Sequence, residues 1–91
     1  MSLSLTVAGP SLDSTVAGML RKEIDRLDLV GVQVCSVRLE HVKLVDSSGV
    51  GVLLALHRRL AAGNVQLRLV EPPDMLVRIL TLLQLDQTLL T

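Results

Sequence analysis

The segment Asp46-Ser47-Ser48-Gly49 carries the clearest chemical potential in this chain of 91 residues. It places one carboxylate, two hydroxyls and a glycine directly before an apolar run. Three chemistries suit such a set. The first is nucleophilic: a serine hydroxyl attacks once a neighbouring base removes its proton. His41 is nearby in sequence, but the flanks lack a Gly-x-Ser-x-Gly elbow and an acid to orient the imidazole. No glycine-rich phosphate loop with a following lysine is present, nor a GxGxxG pattern. With no catalytic constellation around the serine, the chain is expected not to be an enzyme.

The second chemistry is helix capping, in which a side-chain oxygen of Asp or Ser accepts from an orphan backbone N–H. The third is phosphate carriage. A serine at a helix start meets free N–H groups and the positive end of the helix dipole, which accept an anion with little rearrangement. Phosphorylation there adds about −1.5 to −2 charges beside Asp46. A partner carboxylate ~6 Å away would then be repelled by roughly 1–6 kcal/mol, depending on the effective dielectric. That spans about tenfold to ten-thousandfold in affinity. Capping and phosphate carriage are compatible, and both remain open on the residues alone.

Other candidates are weaker. Cys35 is the single cysteine, so no internal disulfide and no cysteine-based metal site can form. His41 and His57 are isolated, and neither a metal nor a cofactor is expected. Cys35 stands among valines and reads as a buried packing residue, and His57, on the second helix, as a boundary residue rather than a catalyst.

The elements that position these residues alternate. Ser4 to Ala8 reads as a strand, broken by Gly9-Pro10-Ser11. Asp13 or Ser14 caps a helix whose apolar face is Val16, Leu20, Ile24 and Leu27. Val32 to Leu39 is short and rich in β-branched residues, a second strand. Glu40 to Val45 reads as a connection. A helix then runs from the Asp-Ser-Ser-Gly segment to Ala62, with Val50, Leu53, Leu54, Leu56 and Leu60 apolar and Gly63-Asn64 as the stop. Val65 to Val70 alternates as a third strand. Pro72-Pro73 opens a helix carrying Met75, Leu76, Ile79, Leu80, Leu82 and Leu83, with the prolines in its first turn. A last apolar turn covers Leu85 to Leu90.

Strand and helix in alternation predict an α/β fold with a largely parallel sheet and right-handed crossovers. Strand-to-helix loops then emerge at one edge of the sheet, so Asp13, Asp46, Ser47 and Ser48 should cluster. On the polar arc of the middle helix fall Gly51, Ala55, Arg58, Arg59 and Ala62. Gly51 and Ala55 are small for an exposed face. Either they let a partner approach the backbone, or small residues are merely tolerated there.

Composition narrows the class. The length suits one domain, expected over residues 1–91, burying roughly 60–65% of its unfolded surface. Hydrophobic residues make up 49% and aromatics 0%, so the core is aliphatic. Nine basic and nine acidic residues cancel. A neutral chain without stacking side chains lacks the footprint of a nucleic-acid binder. The longest uninterrupted apolar stretch, Gly49 to Leu56, is far short of the ~20 residues of a spanning helix. The amino terminus lacks the pattern of a signal peptide. A soluble, cytoplasmic protein without membrane insertion is expected.

The sequence resembles the STAS domain, and within it the bacterial anti-sigma factor antagonists. Val42 to Leu53 is similar to the family's hydrophobic lead-in and Asp-Ser-Ser/Thr-Gly-Leu-Gly signature. Gly9 to Asp13 resembles its Gly-x-Leu-Asp loop, and Ala62 to Leu67 its Gly-Gly-x-Leu approach to a strand. Pro72-Pro73, Leu80, Leu85 and Leu89-Leu90 fit its ending. The resemblance implies a STAS-like single domain, with a small, mostly parallel sheet of three to four strands and about four helices.

It further implies partner switching, with Ser47 rather than Ser48 as phosphate acceptor. The unmodified antagonist binds a serine-kinase anti-sigma factor of histidine-kinase-like ATPase fold and frees a sigma factor. Phosphorylation at Ser47 releases it, and a PP2C-type phosphatase restores it. Asp13, Asp46, Ser48, Gly49, Gly51, Ala55 and Arg58 are the expected switch surface. An alternative is a STAS accessory subunit docking on the ATPase of a lipid-transport ABC complex. Three departures stand out. The first loop has one extra residue, with Pro10 and Ser11 both present. Arg38 stands where relatives often carry Asp or Asn. The short amino terminus implies that the family's first strand is reduced or missing.

Overall fold

The structure, a computed structural model, describes residues 1–90. Its elements are β1 (Ser2–Thr6), β2 (Ser11–Leu12), α1 (Ser14–Asp25), β3 (Val34–Arg38), β4 (Leu44–Val45), α2 (Ser47–Ala62), β5 (Gln66–Val70), α3 (Asp74–Leu82) and α4 (Asp86–Leu89). The main sheet is parallel in the order β1-β3-β5. Each successive strand lies beside its predecessor, with a helix in the crossover. The chain therefore advances across the sheet in one direction, without the reversal of strand order that opens a crevice in doubly wound folds.

Register sorts the side chains. Leu3, Cys35 and Leu67 share one row, and Leu5, Val37 and Leu69 another. Cys35 and Val37 on the central strand are fully enclosed. Burial pushes the Cys35 thiol pKa up, because the thiolate loses its water. The alternate rows carry Ser2, Ser4, Thr6, Arg38, Gln66 and Arg68, all exposed, with Val34, Ser36 and Val70 half-buried among them.

The helices close the core with the faces their periodicity predicts. α1 buries Ala17, Leu20 and Ile24, with Val16 and Leu27 packed at the margin. α2 buries Val50, Val52, Leu53, Leu56 and Leu60, and Leu54 is half-buried. Arg59 on α2 donates to the Leu27 carbonyl just past the end of α1 (2.9 Å). Asn64 turns the chain at φ 58°, a conformation Asn tolerates well, and delivers it into β5.

Three details differ from the sequence expectation. The first strand begins at Ser2, because the Leu3 and Leu5 alternation is paired from there, and ends at Thr6 rather than Ala8. The loop at Ser11–Leu12 and the connection at Leu44–Val45 are not irregular: they pair as a two-stranded parallel ladder. Finally, Pro72 and Pro73 precede α3 instead of occupying its first turn. Pro73 is the cap residue, in an extended conformation at φ −67° and ψ 152°.

Candidate functional site

The small β2–β4 ladder builds the site. Pro10 folds back so that its carbonyl accepts from Lys43 N–H (2.7 Å) and Leu44 N–H (3.0 Å). Ser11 then pairs with Leu44 and Leu12 with Val45. The next residue on each strand is an aspartate that caps a helix. Asp13 Oδ1 accepts from Val16 N–H at 3.1 Å, and Asp46 Oδ1 from Gly49 N–H at 3.1 Å. Asp46 N–H donates to the Leu12 carbonyl (3.3 Å), tying the second cap to the strand that leads into the first. Two helix N-termini thus sit side by side. Asp13 and Asp46 line one shallow pocket of about 220 Å³, together with Leu12, Val45 and Met75.

Ser47 and Ser48 are the first two residues of α2, and both are exposed. Their N–H groups lie before the first intrahelical bond, which Val50 makes to the Asp46 carbonyl (3.2 Å). Gly49 is buried, and its glycine identity is steric. A Cβ there would lie 2.5 Å from the Leu12 carbonyl oxygen, 2.8 Å from Leu12 Cγ and 3.0 Å from Val45 Cγ1. The absent side chain is what lets α2 start flush against β2. Gly51 is the opposite case: it is exposed, and a Cβ there meets nothing within 4 Å. Its smallness serves no contact within the described residues. Arg58 is exposed and Ala55 half-buried along the same helix.

Beside Ser47 runs an apolar groove of about 400 Å³, walled by Val50, Gly51 and Leu54 of α2 and by Ile79 and Leu83 at α3. Sequence reasoning counted Ile79 and Leu83 among the apolar residues of their helix without dividing them into faces, and missed this role. The available signal was an excess of apolar positions on α3. Leu76 and Leu80 are fully buried, while Met75, Ile79 and Leu83 form a second stripe at spacings of four. Met75 was missed as well; its Sδ accepts from Val45 N–H at 3.5 Å, bracing the residue before Asp46.

Arg38 at the end of β3 does not reach this site. Its guanidinium donates twice to the Glu40 carboxylate, at 2.8 and 3.2 Å. That hydrogen bonding holds the Glu40 pKa below the usual carboxylate range and raises that of Arg38. The pair is exposed, and its charges answer each other. The linings around Asp13, Asp46 and Ser47 contain no histidine. His41 is exposed elsewhere, and His57 is half-buried on α2. What the arrangement offers is an exposed, anion-compatible helix start between a carboxylate and an apolar groove.

A family model, the STAS domain, matches residues 3–91. The chain belongs to the STAS domain family. Among solved structures, this STAS domain is similar to a sulfate transporter family protein from Wolinella succinogenes, at TM-score 0.81 and 20% identity. That match covers 97% of this chain and 70% of the other. It is similar to the anti-sigma factor antagonist SpoIIAA in its unphosphorylated form, at TM-score 0.78 and 23% identity, covering 94% and 75%. The STAS domain of a SulP transporter from Vibrio cholerae matches at TM-score 0.71 and 11% identity, covering 96% and 67%. No curated protein matches in sequence. No helix of the described residues is long and apolar enough to cross a membrane.

Proposed function

We propose that this STAS domain is a non-enzymatic, cytoplasmic anti-sigma factor antagonist that works by partner switching at Ser47. Unphosphorylated, it binds a serine-kinase anti-sigma factor; phosphorylated on Ser47, it is released; a PP2C-type phosphatase resets it. The observation that carries the proposal is the setting of Ser47. Its hydroxyl is exposed on the first residue of α2, next to the exposed Asp46 and the open face at Gly51. A partner seated on Gly51 and the groove comes within a few ångströms of Ser47. A phosphate there sets about two negative charges against it while the helix dipole holds the new anion in place. Nothing in the fold has to move.

The transporter-associated neighbours share the fold at identities of 20% and 11%, which does not choose between functions. The accessory-subunit reading has one observation on its side, the apolar groove, which suits a constitutive contact as well as a switched one. The intact Asp46-Ser47-Ser48-Gly49 start favours the switch.

The test is phosphoryl transfer from a cognate kinase followed by mass spectrometry. One phosphate on Ser47, and none on Ser47→Ala, is the expected result. Modification of Ser47→Ala to the same extent would remove Ser47 from the mechanism. Stable co-purification with a transporter ATPase, without any kinase dependence, would favour the second reading.

A further inference from the structure

The outer edge of the main sheet points to a second copy of this chain as its partner. β1 has a neighbour on one side only, β3. Met1 accepts from Gln33 N–H (2.8 Å) and Val7 donates to the Arg38 carbonyl (3.1 Å), so odd-numbered residues aim their backbone groups at β3. Backbone groups of Ser2, Ser4 and Thr6 alternate with these and aim outward. Among the described residues, no strand pairs with them. Edges of this kind are normally guarded by a charge, a proline or a bulge. Residues Met1 to Ala8 contain neither a charged side chain nor a proline.

We infer that two copies pair antiparallel through β1 about a two-fold axis at Ser4, extending the sheet continuously across both. The outward parity selects this register. Ser4 meets Ser4, and Ser2 meets Thr6, as hydrogen-bonded pairs exchanging two bonds each. Leu3 then lies opposite Leu5 on the core side of both sheets, where each is only half-buried in the single chain. Extending the same register by one step puts Met1 of each copy opposite Val7 of the other. Val7 belongs to a pocket of about 230 Å³ lined also by Val16, Met19 and Leu20. Met1 is 77% exposed and Met19 62%, and the pairing covers both. Such self-complementarity is what an isologous two-fold contact requires. None of these residues is among those around Ser47, so pairing leaves the proposed switch accessible.

One short strand and one pocket make a small interface, and the association is therefore concentration-dependent. Sedimentation equilibrium of the reduced 91-residue chain tests it. The weight-average mass should climb from 9.8 kDa towards twice that value. The rise should fall between about 10 μM and about 1 mM, the range of a weak, transient contact. Ser4→Pro removes an outward N–H that the single chain does not use, a position where an edge strand accepts proline. Ser4→Lys keeps every backbone group and sets two ammonium groups against each other on the axis. Both variants should stay at 9.8 kDa throughout with unchanged circular dichroism, whereas Gln66→Lys on the opposite edge strand should behave as the parent. A parent that stays monomeric up to about 1 mM overturns the inference. So does a Ser4→Lys protein that dimerises like the parent, or a dimer abolished by Gln66→Lys.

Discussion

The N-termini of α1 and α2 are near copies of one another. Asp13-Ser14-Thr15-Val16-Ala17-Gly18 and Asp46-Ser47-Ser48-Gly49-Val50-Gly51 each place an aspartate cap, a serine at the first helical position and a glycine at the fifth. The caps agree to within a few degrees: φ −109° and ψ −171° at Asp13, φ −107° and ψ −175° at Asp46. Both fifth-position glycines are exposed with open space around them. Yet only one of these termini borders the apolar groove, and only one has a buried glycine at its third position. Where α1 has the half-buried Val16, α2 has Gly49 pressed against Leu12. A capped serine is therefore a general device of this fold. The depth at which the helix is seated, and the groove beside it, set Ser47 apart from Ser14.

Four groups of substitutions can break or sharpen that contrast. The largest effect is expected on partner binding. Ser47→Asp should weaken association with the kinase about threefold to a hundredfold, from the repulsion of roughly 0.7–3 kcal/mol that one added charge exerts on a carboxylate ~6 Å away, while Ser14→Asp should change it little. Isothermal titration on the two variants decides it, and equal losses would mean that the two termini are equivalent to the partner. Next comes the seating of the helix. Gly49→Ala forces a methyl group into a backbone oxygen and should cost about 3 kcal/mol, the upper range for overpacking; urea denaturation would read this as a lower midpoint.

The caps should give smaller and matched losses. Asp13→Ala and Asp46→Ala should each destabilise by about 1 kcal/mol, and a twofold disparity in thermal unfolding would show that the two caps carry unequal loads. The smallest effect has the opposite sign. Gly18→Ala and Gly51→Ala each exchange a poor helix former for the best one in open space, and should stabilise by about 0.5–1 kcal/mol. If Gly51 keeps a partner's approach clear, Gly51→Ala will raise the melting temperature and lower affinity together, whereas Gly18→Ala will only raise the former.

Elements with a long enough period were legible from the residues. The apolar faces of α1 and α2, the alternation in β5 and the stop at Gly63-Asn64 all follow from spacing and turn chemistry. The adjacency of Asp13 and Asp46 followed from the parallel topology alone. What escaped was short or relational. A two-residue strand such as Ser11–Leu12 has no period to detect, and its pairing with Leu44–Val45 depends on how Pro10 folds back. The groove escaped because Ile79 and Leu83 look like core residues until the angle between α2 and α3 is known. Gly49 and Gly51 read alike in a signature; only packing separates the one that cannot bear a side chain from the one that can.

The wholly aliphatic interior has a practical reach beyond stability. With no phenylalanine, tyrosine or tryptophan, the domain is dark in the near ultraviolet and has no intrinsic fluorescence of its own. A single tryptophan at Leu83, 56% exposed on the rim of the groove, would be its only emitter. Any change in that emission on adding a kinase, an ATPase or a phosphate would come from the groove and nowhere else in the chain.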